Sequence, residues 1–410
     1  MAVRVRPTRD LEEYLDALGS IGHYFGAERE PERGERFSRI LPFERMHAAF
    51  DGKAIVGGAG AFPFDLTVPG GTGSYRAASC AGVTVVGVLP THRRRGILKA
   101  MMQAQLADVR ERGEPIAALW ASEETIYGRF GYGLAALDAM MRATRVHAAL
   151  RPDLPQLGSV RLVDRDEALR VIPRVYDRVR RRSPGFFSRS PDWWEVKTLN
   201  DEPSRRRGAG VLNHAVLDLD GKPAGYALYR IRLDFEDATS RSKVHVLEAV
   251  GDSAVATREL WRFLLGIDWV EEIHCDLLPV DHPLFLLVQR PNRLAWKVFD
   301  GLWLRPVDVG AALTARGYAT DGRVTLEVTS DPQFPDNVGT WTVDGGAVRR
   351  SSRRPDVRLD VQALGAAYLG GFSFARLAAA GRVEEGVRGG LAHADALFRV
   401  DAAPYCPEIF

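Results

Sequence analysis

The chain of 410 residues is too long for one ordinary hydrophobic core, so two or three domains are expected. Its 55 basic and 53 acidic side chains give a net charge of +2, which provides no reason to expect nucleic acid or a membrane as a partner. The N-terminal residues form no apolar signal segment, and no run approaches a membrane span in length. Three widely spaced cysteines (Cys80, Cys275 and Cys406) favour a reduced cytoplasmic protein without disulfides or a metal site.

The first 150 residues alternate between helix and strand patterns, as in an α/β domain. The pair Asp51-Gly52 between two apolar runs is typical of a β-hairpin turn. The predicted elements are, in chain order, helices over 11–18 and 35–41, hairpin strands over 46–50 and 54–64, a strand over 83–88, a helix over 97–112, a strand over 116–121, a short helix over 123–130 and a strand over 139–146. A proline-containing segment at 151–155 indicates a linker, so the first domain is predicted to cover 1–150.

A loop between strand 83–88 and helix 97–112 has the composition of an anion site. Pro90 ends the strand, and three arginines with one glycine, Gly96, precede the helix. A helix N-terminus directs free N–H groups and the positive end of its dipole to one point, and glycine lets a ligand approach the backbone. The pattern has neither the Gly-Lys-Ser/Thr of a Walker loop nor the three glycines of a dinucleotide fold. It predicts a pyrophosphate site, with a solvated basic turn as the alternative.

A second hairpin with an Asp-Gly-Lys turn, at 214–225, resembles the first one at 47–57. A strand over 244–250, a helix over 257–269 and a strand over 272–278 follow it in the same order. The corresponding turn, Gly251-Asp252-Ser253, carries an acid where the first domain has arginines. Residues 151–295 are therefore predicted to form a degenerate second copy without cofactor, and chance similarity of two hairpins is the alternative.

The last part of the chain, 296–410, has an α+β pattern. Strands are predicted over 324–328, 340–343 and 357–360, and helices over 361–369 and 374–380. The order of these elements, with the run Asp360-Val361-Gln362-Ala363-Leu364 opening the helices, resembles sterol carrier protein domains. That resemblance implies the fold and not a lipid ligand.

Two motifs narrow the family. The loop Arg93-Arg94-Arg95-Gly96-Ile97-Leu98 resembles the acetyl-coenzyme A loop of the GNAT superfamily of N-acetyltransferases, although Leu98 replaces the usual small residue. Together with Trp120-Ala121-Ser122-Glu123 and the run from Ile126 to Gly133, it resembles the "enhanced intracellular survival" acetyltransferases. The resemblance implies tandem GNAT-like domains, the second degenerate, and a sterol-carrier-like domain. It also implies acetyl transfer from acetyl-CoA to amines, notably aminoglycosides at more than one position, by a homo-hexamer.

The resemblance also implies two groups that carry the chemistry. Attack of an amine on a thioester needs a base for the amine and an acid for the leaving thiolate. The family places the acid at Tyr127, and a phenol arrives protonated because its pKa is near ~10. Tyr132 is the rival within the same motif, and a purely packing role for Tyr127 is the other alternative. The base is implied to be the terminal carboxylate of Phe410, which a chain ending in Ile-Phe tends to bury; packing of the terminus alone is the alternative.

Further site residues are carried over by position. The implied acetyl-CoA contacts are the backbone of Val86, Gly87 and Val88, the loop residues Arg93, Arg94, Arg95, Gly96, Ile97 and Leu98, and Ser122 and Glu123 near the thioester. A polycationic acceptor favours acidic and aromatic walls, for which the candidates are Phe25, Glu28 and Glu408. The family pattern favours an aspartate where this chain has Gly26, so the substrate range stays open.

These observations predict an acetyl-CoA-dependent N-acetyltransferase acting on small, aminoglycoside-like polyamines. Acetylation of protein lysines or of small amines by the same machinery is one alternative. A non-catalytic acyl- or lipid-binding protein is the other, and it predicts a long apolar tunnel within residues 300–410.

Overall fold

The computed structural model describes residues 3–26 and 28–410, which form two compact units. The first unit contains the chain up to Ala136, Gly301–Pro404 and Glu408–Phe410. The second contains Leu137–Asp300 and Tyr405–Pro407.

The first unit is built on a mixed seven-stranded sheet. Its spatial strand order is Arg4–Pro7, Met46–Asp51, Ala54–Gly71, Ser74–Val88, Ile116–Trp120, Leu302–Pro306 and Gly133–Leu134. Only Ser74–Val88 and Ile116–Trp120 run parallel; the other neighbours are antiparallel. The strand Leu302–Pro306 follows the second unit in sequence and completes this sheet.

Helices cover this sheet, and each differs from its predicted bounds at one end or at both. The helices are Leu11–Gly22, Pro31–Ser38, Ile97–Glu111 and Glu124–Tyr127, and a 3₁₀ turn at Gly128–Phe130 follows the last. The second helix begins at Pro31 and not at residue 35, because proline is favoured in the first helical turn, where no N–H is needed. The strand predicted over 54–64 extends to Gly71, and the strand predicted over 83–88 begins at Ser74. Both strands are therefore much longer than predicted. Proline is unfavourable inside a strand, but Pro63 and Pro69 both lie opposite residues of the neighbouring strand Ser74–Val88.

The remainder of the first unit is the sterol-carrier-like part. Its five-stranded sheet has the order Ala347–Arg350, Gly339–Asp344, Arg323–Val328, Val357–Leu359 and Val383–Glu385. Its helices are Val309–Ala315, Val361–Ala367, Phe374–Ala379 and Gly390–Phe398. The predicted strands and helices of this part are all present, with ends shifted by one or two residues.

The second unit repeats the plan of the first sheet. Its strand order is Lys297–Asp300, Leu137–Thr144, Glu272–Pro279, Lys243–Gly251, Lys222–Arg232, Asn213–Leu219 and Ser159–Val163. Its longer helices are Arg165–Arg180 and Ala254–Leu265, with short ones at Pro191–Trp193 and Leu284–Leu287 and a two-stranded hairpin of Phe235–Glu236 and Thr239–Ser240. The strand predicted at 139–146 as the last of the first domain lies here instead, at Leu137–Thr144, paired with Glu272–Pro279. A strand pattern is local and does not specify its partner.

All three cysteines are buried and unbonded to one another. None of the helices in the described part of the chain combines the length and the apolar character that a membrane crossing requires.

Candidate active site

The strand Ser74–Val88 separates from its parallel neighbour halfway along its length. It pairs with Ile116–Trp120 only at Cys80, Ala81 and Gly82. On its other side it stays paired with the hairpin partner as far as Val88. Within the described residues, the edge of residues 83–88 therefore faces a gap in the sheet, with no strand bonded to it. An open strand edge binds an extended, amide-containing ligand as an added strand.

A bulge shapes this open edge. The register with the hairpin partner shifts between Gly58 and Gly60, so that Val85 and Val86 lie opposite a single residue. Val85 has φ +47°, a value that β-branched residues rarely adopt. Such a residue costs about 1–3 kcal/mol and persists where the surroundings enforce it, commonly at functional sites. The Tyr24 hydroxyl donates to the Val88 carbonyl at 2.7 Å, which places the end of the first helical region at this edge.

The predicted anion loop has the geometry of a backbone N–H cradle. Arg94 (φ +61°) and Gly96 (φ +77°) are both left-handed, and Gly96 is the N-cap of helix Ile97–Glu111. Because this N-cap is glycine, it offers no side chain to the N–H groups of the first turn. Alternation of left- and right-handed residues at a helix start makes a concavity that binds anions. The predicted positions of Ile97 and Leu98 in the first turn are confirmed.

The three arginines of the loop differ in their surroundings. Arg95 forms an ion pair with Asp51 of the hairpin turn, with 2.9 Å between Nη2 and Oδ2. Arg93 and Arg94 are exposed and make no ion pair within the described residues. The open edge, the N–H cradle and the two available cations suit the pantetheine amides and the pyrophosphate of acetyl-CoA.

Tyr127 ends the short helix that follows strand Ile116–Trp120. It is 7% exposed and packs in a cluster with Ala81, Val83 and Leu119 on one face of the sheet. Burial, assisted by the nearby Glu123 carboxylate, raises the pKa of Tyr127 to about 12, so the phenol is neutral at physiological pH. Glu123 is exposed at the N-cap of this helix, and Ser122 precedes it on the surface.

Tyr132, the rival to Tyr127, is fully buried. Its ring lies 6.1 Å from that of Tyr127, in an edge-on contact. Its hydroxyl is buried without a hydrogen-bond partner among the described residues. A group enclosed in this way has no route to a substrate, so Tyr132 has the position of a packing residue.

Phe410 lies on the sheet where the strand pairing ends. Its ring is 5.4 Å from that of Phe64 and 6.3 Å from that of Phe62. A Cβ added to Gly82 would lie 3.3 Å from the Phe410 ring, so the last side chain lies over the glycine at the start of the gap. Phe410 is half-buried, and Glu408 before it is buried.

Tyr127 and Phe410 approach the gap from opposite faces of the sheet. Neighbouring residues of a strand point to opposite faces. Ala81 belongs to the cluster around Tyr127, whereas Gly82 faces Phe410. The two groups carried over from the family motif thus flank the place where the strands separate, one on each side.

Trp120 was missed as a site residue by the sequence analysis. Ala118 is the register partner of Gly82, so Ala118 and Trp120 share the Gly82 face. The indole N–H of Trp120 is buried and lacks a partner within the described residues. The aromatic pair Phe62 and Phe64 was also missed, since a predicted strand does not reveal what faces it.

The proposed substrate residues are dispersed. Phe25 is 75% exposed, next to the Tyr24 that binds the strand edge. Glu28 is exposed, and no contact within the described residues links it to Phe410. Glu408 is close to the gap by its place in the chain.

The second unit closes the turn that corresponds to the anion loop. Asp252 binds Arg178 with 3.0 Å between the ion-pair atoms, and the Ser253 hydroxyl accepts from the Ala256 N–H at 3.1 Å. In the second unit, the helix start is thus bound by side chains of the chain itself. The corresponding helix start in the first unit has no side-chain cap.

The interior of the sterol-carrier-like part is occupied by a buried cation and aromatic rings. Arg316 is 1% exposed and donates to the carbonyls of Tyr368 and Phe398 at 2.5 and 3.3 Å. Its guanidinium lies 4.1 Å from the Phe398 ring centroid and 5.1 Å from that of Tyr318.

Comparison with known proteins agrees with this architecture. The family model "Acetyltransferase (GNAT) domain" matches residues 4–135, a second GNAT model matches 185–306, and "Sterol carrier protein domain" matches 309–407. The finer division at 150 and 295 remains a prediction. A Streptomyces avermitilis protein described as an uncharacterized N-acetyltransferase is 39% identical over 416 residues, covering 100% of this chain and 99% of its own.

The N-acetyltransferase Eis of Mycobacterium tuberculosis is 34% identical over 403 residues, covering 95% of this chain and 94% of its own. The crystal structure of Eis1 from Mycobacterium abscessus has a TM-score of 0.84 at 34% identity, covering 99% of this chain and 100% of its own. A GCN5-related N-acetyltransferase from Anabaena variabilis shares the fold, with a TM-score of 0.82 at 19% identity over the full length of both chains. The chain therefore belongs to the Eis family of GNAT-type N-acetyltransferases, with two GNAT domains followed by a sterol-carrier-like domain.

Proposed function

We propose that this acetyltransferase moves the acetyl group of acetyl-CoA to amines of aminoglycoside-like polyamines. The observation that carries the proposal is the placement of Tyr127 and Phe410 on opposite faces of the sheet at the gap beyond Gly82. A thioester bound along the open strand edge would present its sulfur to one face and its carbonyl carbon to an amine on the other.

The step needs one base and one acid. The terminal carboxylate of Phe410 accepts a proton from the acceptor amine as its nitrogen bonds to the thioester carbon. The carbon–sulfur bond then breaks, and the neutral hydroxyl of Tyr127 donates to the departing sulfur. The products are the acetylated amine and free CoA.

Aromatic rings on the Phe410 face support a cationic acceptor. Phe62, Phe64, Phe410 and Trp120 share this face, and ammonium groups are attracted to aromatic ring faces by about 0.5–2 kcal/mol. Glu408 remains the predicted carboxylate for this acceptor. Lysine side chains and small amines share this chemistry, so they are the alternative acceptors.

Two further parts of the proposal concern assembly and location. Val146 and Trp269 of the second unit are 76% and 78% exposed. The segments that contain them are joined by a hydrogen bond, in which the Arg145 N–H donates to the Glu271 carbonyl at 2.8 Å. The resemblance to the Eis family implies a homo-hexamer, and light scattering on Trp269→Lys tests whether these exposed side chains take part in the assembly. Three buried free cysteines support a cytoplasmic location.

The test is release of free thiol from acetyl-CoA with a panel of aminoglycosides, lysine peptides and small amines. Wild type is compared with a variant extended by three residues past Phe410, which moves the carboxylate, and with Phe410→Ala, which keeps a terminal carboxylate. We expect turnover with aminoglycosides, at least a hundredfold lower in the extended variant and less than tenfold lower in Phe410→Ala.

Each alternative predicts a different result. Turnover restricted to lysine peptides or small amines would replace the acceptor class. An extended variant as fast as wild type would exclude the carboxylate as base. A protein that releases no thiol with any amine, yet binds fatty acids, would favour the lipid-binding alternative.

A further inference from the structure

The segment after Tyr127 packs closely around its glycines. A Cβ on Gly128 would lie 2.7 Å from Gln362 Nε2, and one on Gly133 would overlap the Gln362 carbonyl. Gly131 has φ +85°, and its Cβ would overlap the Arg305 guanidinium and lie 2.9 Å from Val361 Cγ1. The glycines of this motif therefore allow contact with Arg305 and with helix Val361–Ala367.

Arg305 connects this turn to the sterol-carrier-like domain. Its Nη1 donates to the Phe130 carbonyl at 2.5 Å, and its Nη2 binds Asp331 Oδ1 at 2.7 Å. The side chains of both members of the ion pair are 0% exposed. The guanidinium is thus held between a backbone carbonyl of the turn and one carboxylate.

Asp331 is itself fixed by its surroundings. Its Oδ1 accepts from the N–H groups of Gln333 and Phe334 at 2.8 and 3.0 Å, and its Oδ2 accepts from Asn337 Nδ2 at 2.9 Å. These donors leave the carboxylate little freedom, so it defines where the Arg305 guanidinium lies.

Hydrogen bonds connect the Arg305 contact with Tyr127. The Gly131 N–H donates to the Gly128 carbonyl at 3.0 Å, and the Tyr132 N–H donates to the Tyr127 carbonyl at 3.3 Å. The turn is therefore a closed loop that begins at Tyr127 and is held at Phe130.

We propose that Arg305, fixed by Asp331, is a positioning residue for Tyr127 in acetyl transfer. The inference rests on the proposed role of Tyr127 as the acid. It gives the sterol-carrier-like domain a task in the reaction, since Asp331 belongs to that domain: it orients the acid of the first GNAT domain.

The test is a double-mutant cycle in the full-length protein, with kcat and the KM for acetyl-CoA measured separately. Arg305→Lys keeps the charge but cannot donate to two acceptors in a planar fork. We expect its kcat to fall at least tenfold, with the KM for acetyl-CoA within twofold of wild type. In the Tyr127→Phe background, Arg305→Lys should change kcat by less than twofold, because the group that it positions is gone.

Arg316→Lys is the matched control. Arg316 is another fully buried arginine of the first unit, but its donors bind the carbonyls of Tyr368 and Phe398 and none within the turn. We expect this variant to have a lower melting temperature and the wild-type kcat per folded protein. If Arg305→Lys does not fold, the cycle is repeated with Asp331→Asn. The asparagine side chain keeps an oxygen that accepts a hydrogen bond from Arg305.

If Tyr127→Phe alone is slow and its loss in kcat multiplies with that of Arg305→Lys in the double variant, the positioning role is overturned. The proposed function would then stay intact. A Tyr127→Phe variant as fast as wild type would overturn both. A fall in kcat shared equally by Arg316→Lys would also overturn the proposal.

Discussion

The ring of Phe410, the last in the chain, packs edge-on against the ring of Phe64 with 5.4 Å between their centroids. This contact holds the end of the polypeptide over Gly82, where the parallel strand pairing stops. The terminal carboxylate of Phe410 is proposed to act as the base at this place, where the acceptor amine is proposed to bind.

The two tyrosines of the glycine-rich motif are predicted to respond differently to loss of the hydroxyl. Tyr127→Phe should lower kcat by about a hundredfold, because the departing sulfur loses its proton donor. Tyr132→Phe should leave kcat unchanged and raise the free energy of unfolding by about 1 kcal/mol, since the hydroxyl it removes is buried without a partner. Steady-state kinetics and urea unfolding measure both, and a slow Tyr132→Phe would reverse the assignment.

The pyrophosphate loop is predicted to discriminate among its arginines. Arg93→Ala or Arg94→Ala should raise the KM for acetyl-CoA about tenfold, the equivalent of one charge-assisted hydrogen bond. Arg95→Ala should have a smaller effect, because Arg95 already binds Asp51. S-acetylpantetheine, which lacks the pyrophosphate, is the control substrate: its KM should be the same in all four proteins. Equal effects on both substrates would contradict a phosphate contact.

Gly131 is predicted to tolerate no side chain. Gly131→Ala combines a left-handed backbone with overlap on Arg305, so we expect it to lower the free energy of unfolding by more than about 3 kcal/mol. Gly113, at φ +72° with open space around it, is the matched control. Gly113→Ala should cost only the left-handed penalty of about 1–2 kcal/mol. Chemical denaturation measures both, and equal losses would show that backbone strain alone is at work.

Asp138, in the second unit, predicts a pH dependence of stability. Both carboxylate oxygens are buried without partners among the described residues, and burial, with the nearby charge of Asp300, raises the pKa of Asp138 to about 8. Between its ordinary pKa near 4 and this value, the folded chain keeps a proton that the unfolded chain releases. Stability from this group is therefore complete below about pH 4 and falls as the pH rises towards 8.

Asp138→Asn should remove that dependence. At pH 7.5 we expect the variant to be more stable than wild type, by on the order of 2 kcal/mol, with the difference vanishing near pH 4. The exposed Asp153→Asn should show no such trend. Thermal melts across this pH range decide the matter, and a constant difference at all pH values would contradict a buried, protonated carboxyl.

The sequence alone was sufficient to predict the strand, the turn and the helix of the predicted anion loop. The strand over 83–88, the basic turn and the helix from Ile97 are consecutive, so the pattern of apolar residues and glycine carries their geometry directly. The hairpins, the order of domain types and the family followed in the same way from local motifs. The strand at 139–146 was recognised as a strand but assigned to the wrong sheet, because periodicity specifies an element and not its neighbour.

Tertiary structure decided what the chain brings together from distant positions. Only folding shows that Phe410 lies over Gly82, that Leu302–Pro306 completes the first sheet, and that Arg305 and Asp331 hold the turn after Tyr127. Contacts of this kind depend on packing between segments far apart in the chain, and no repeat or spacing in the sequence encodes them. The local sequence therefore determined the elements and the chemistry of their side chains, while packing decided on which face of the sheet each group acts.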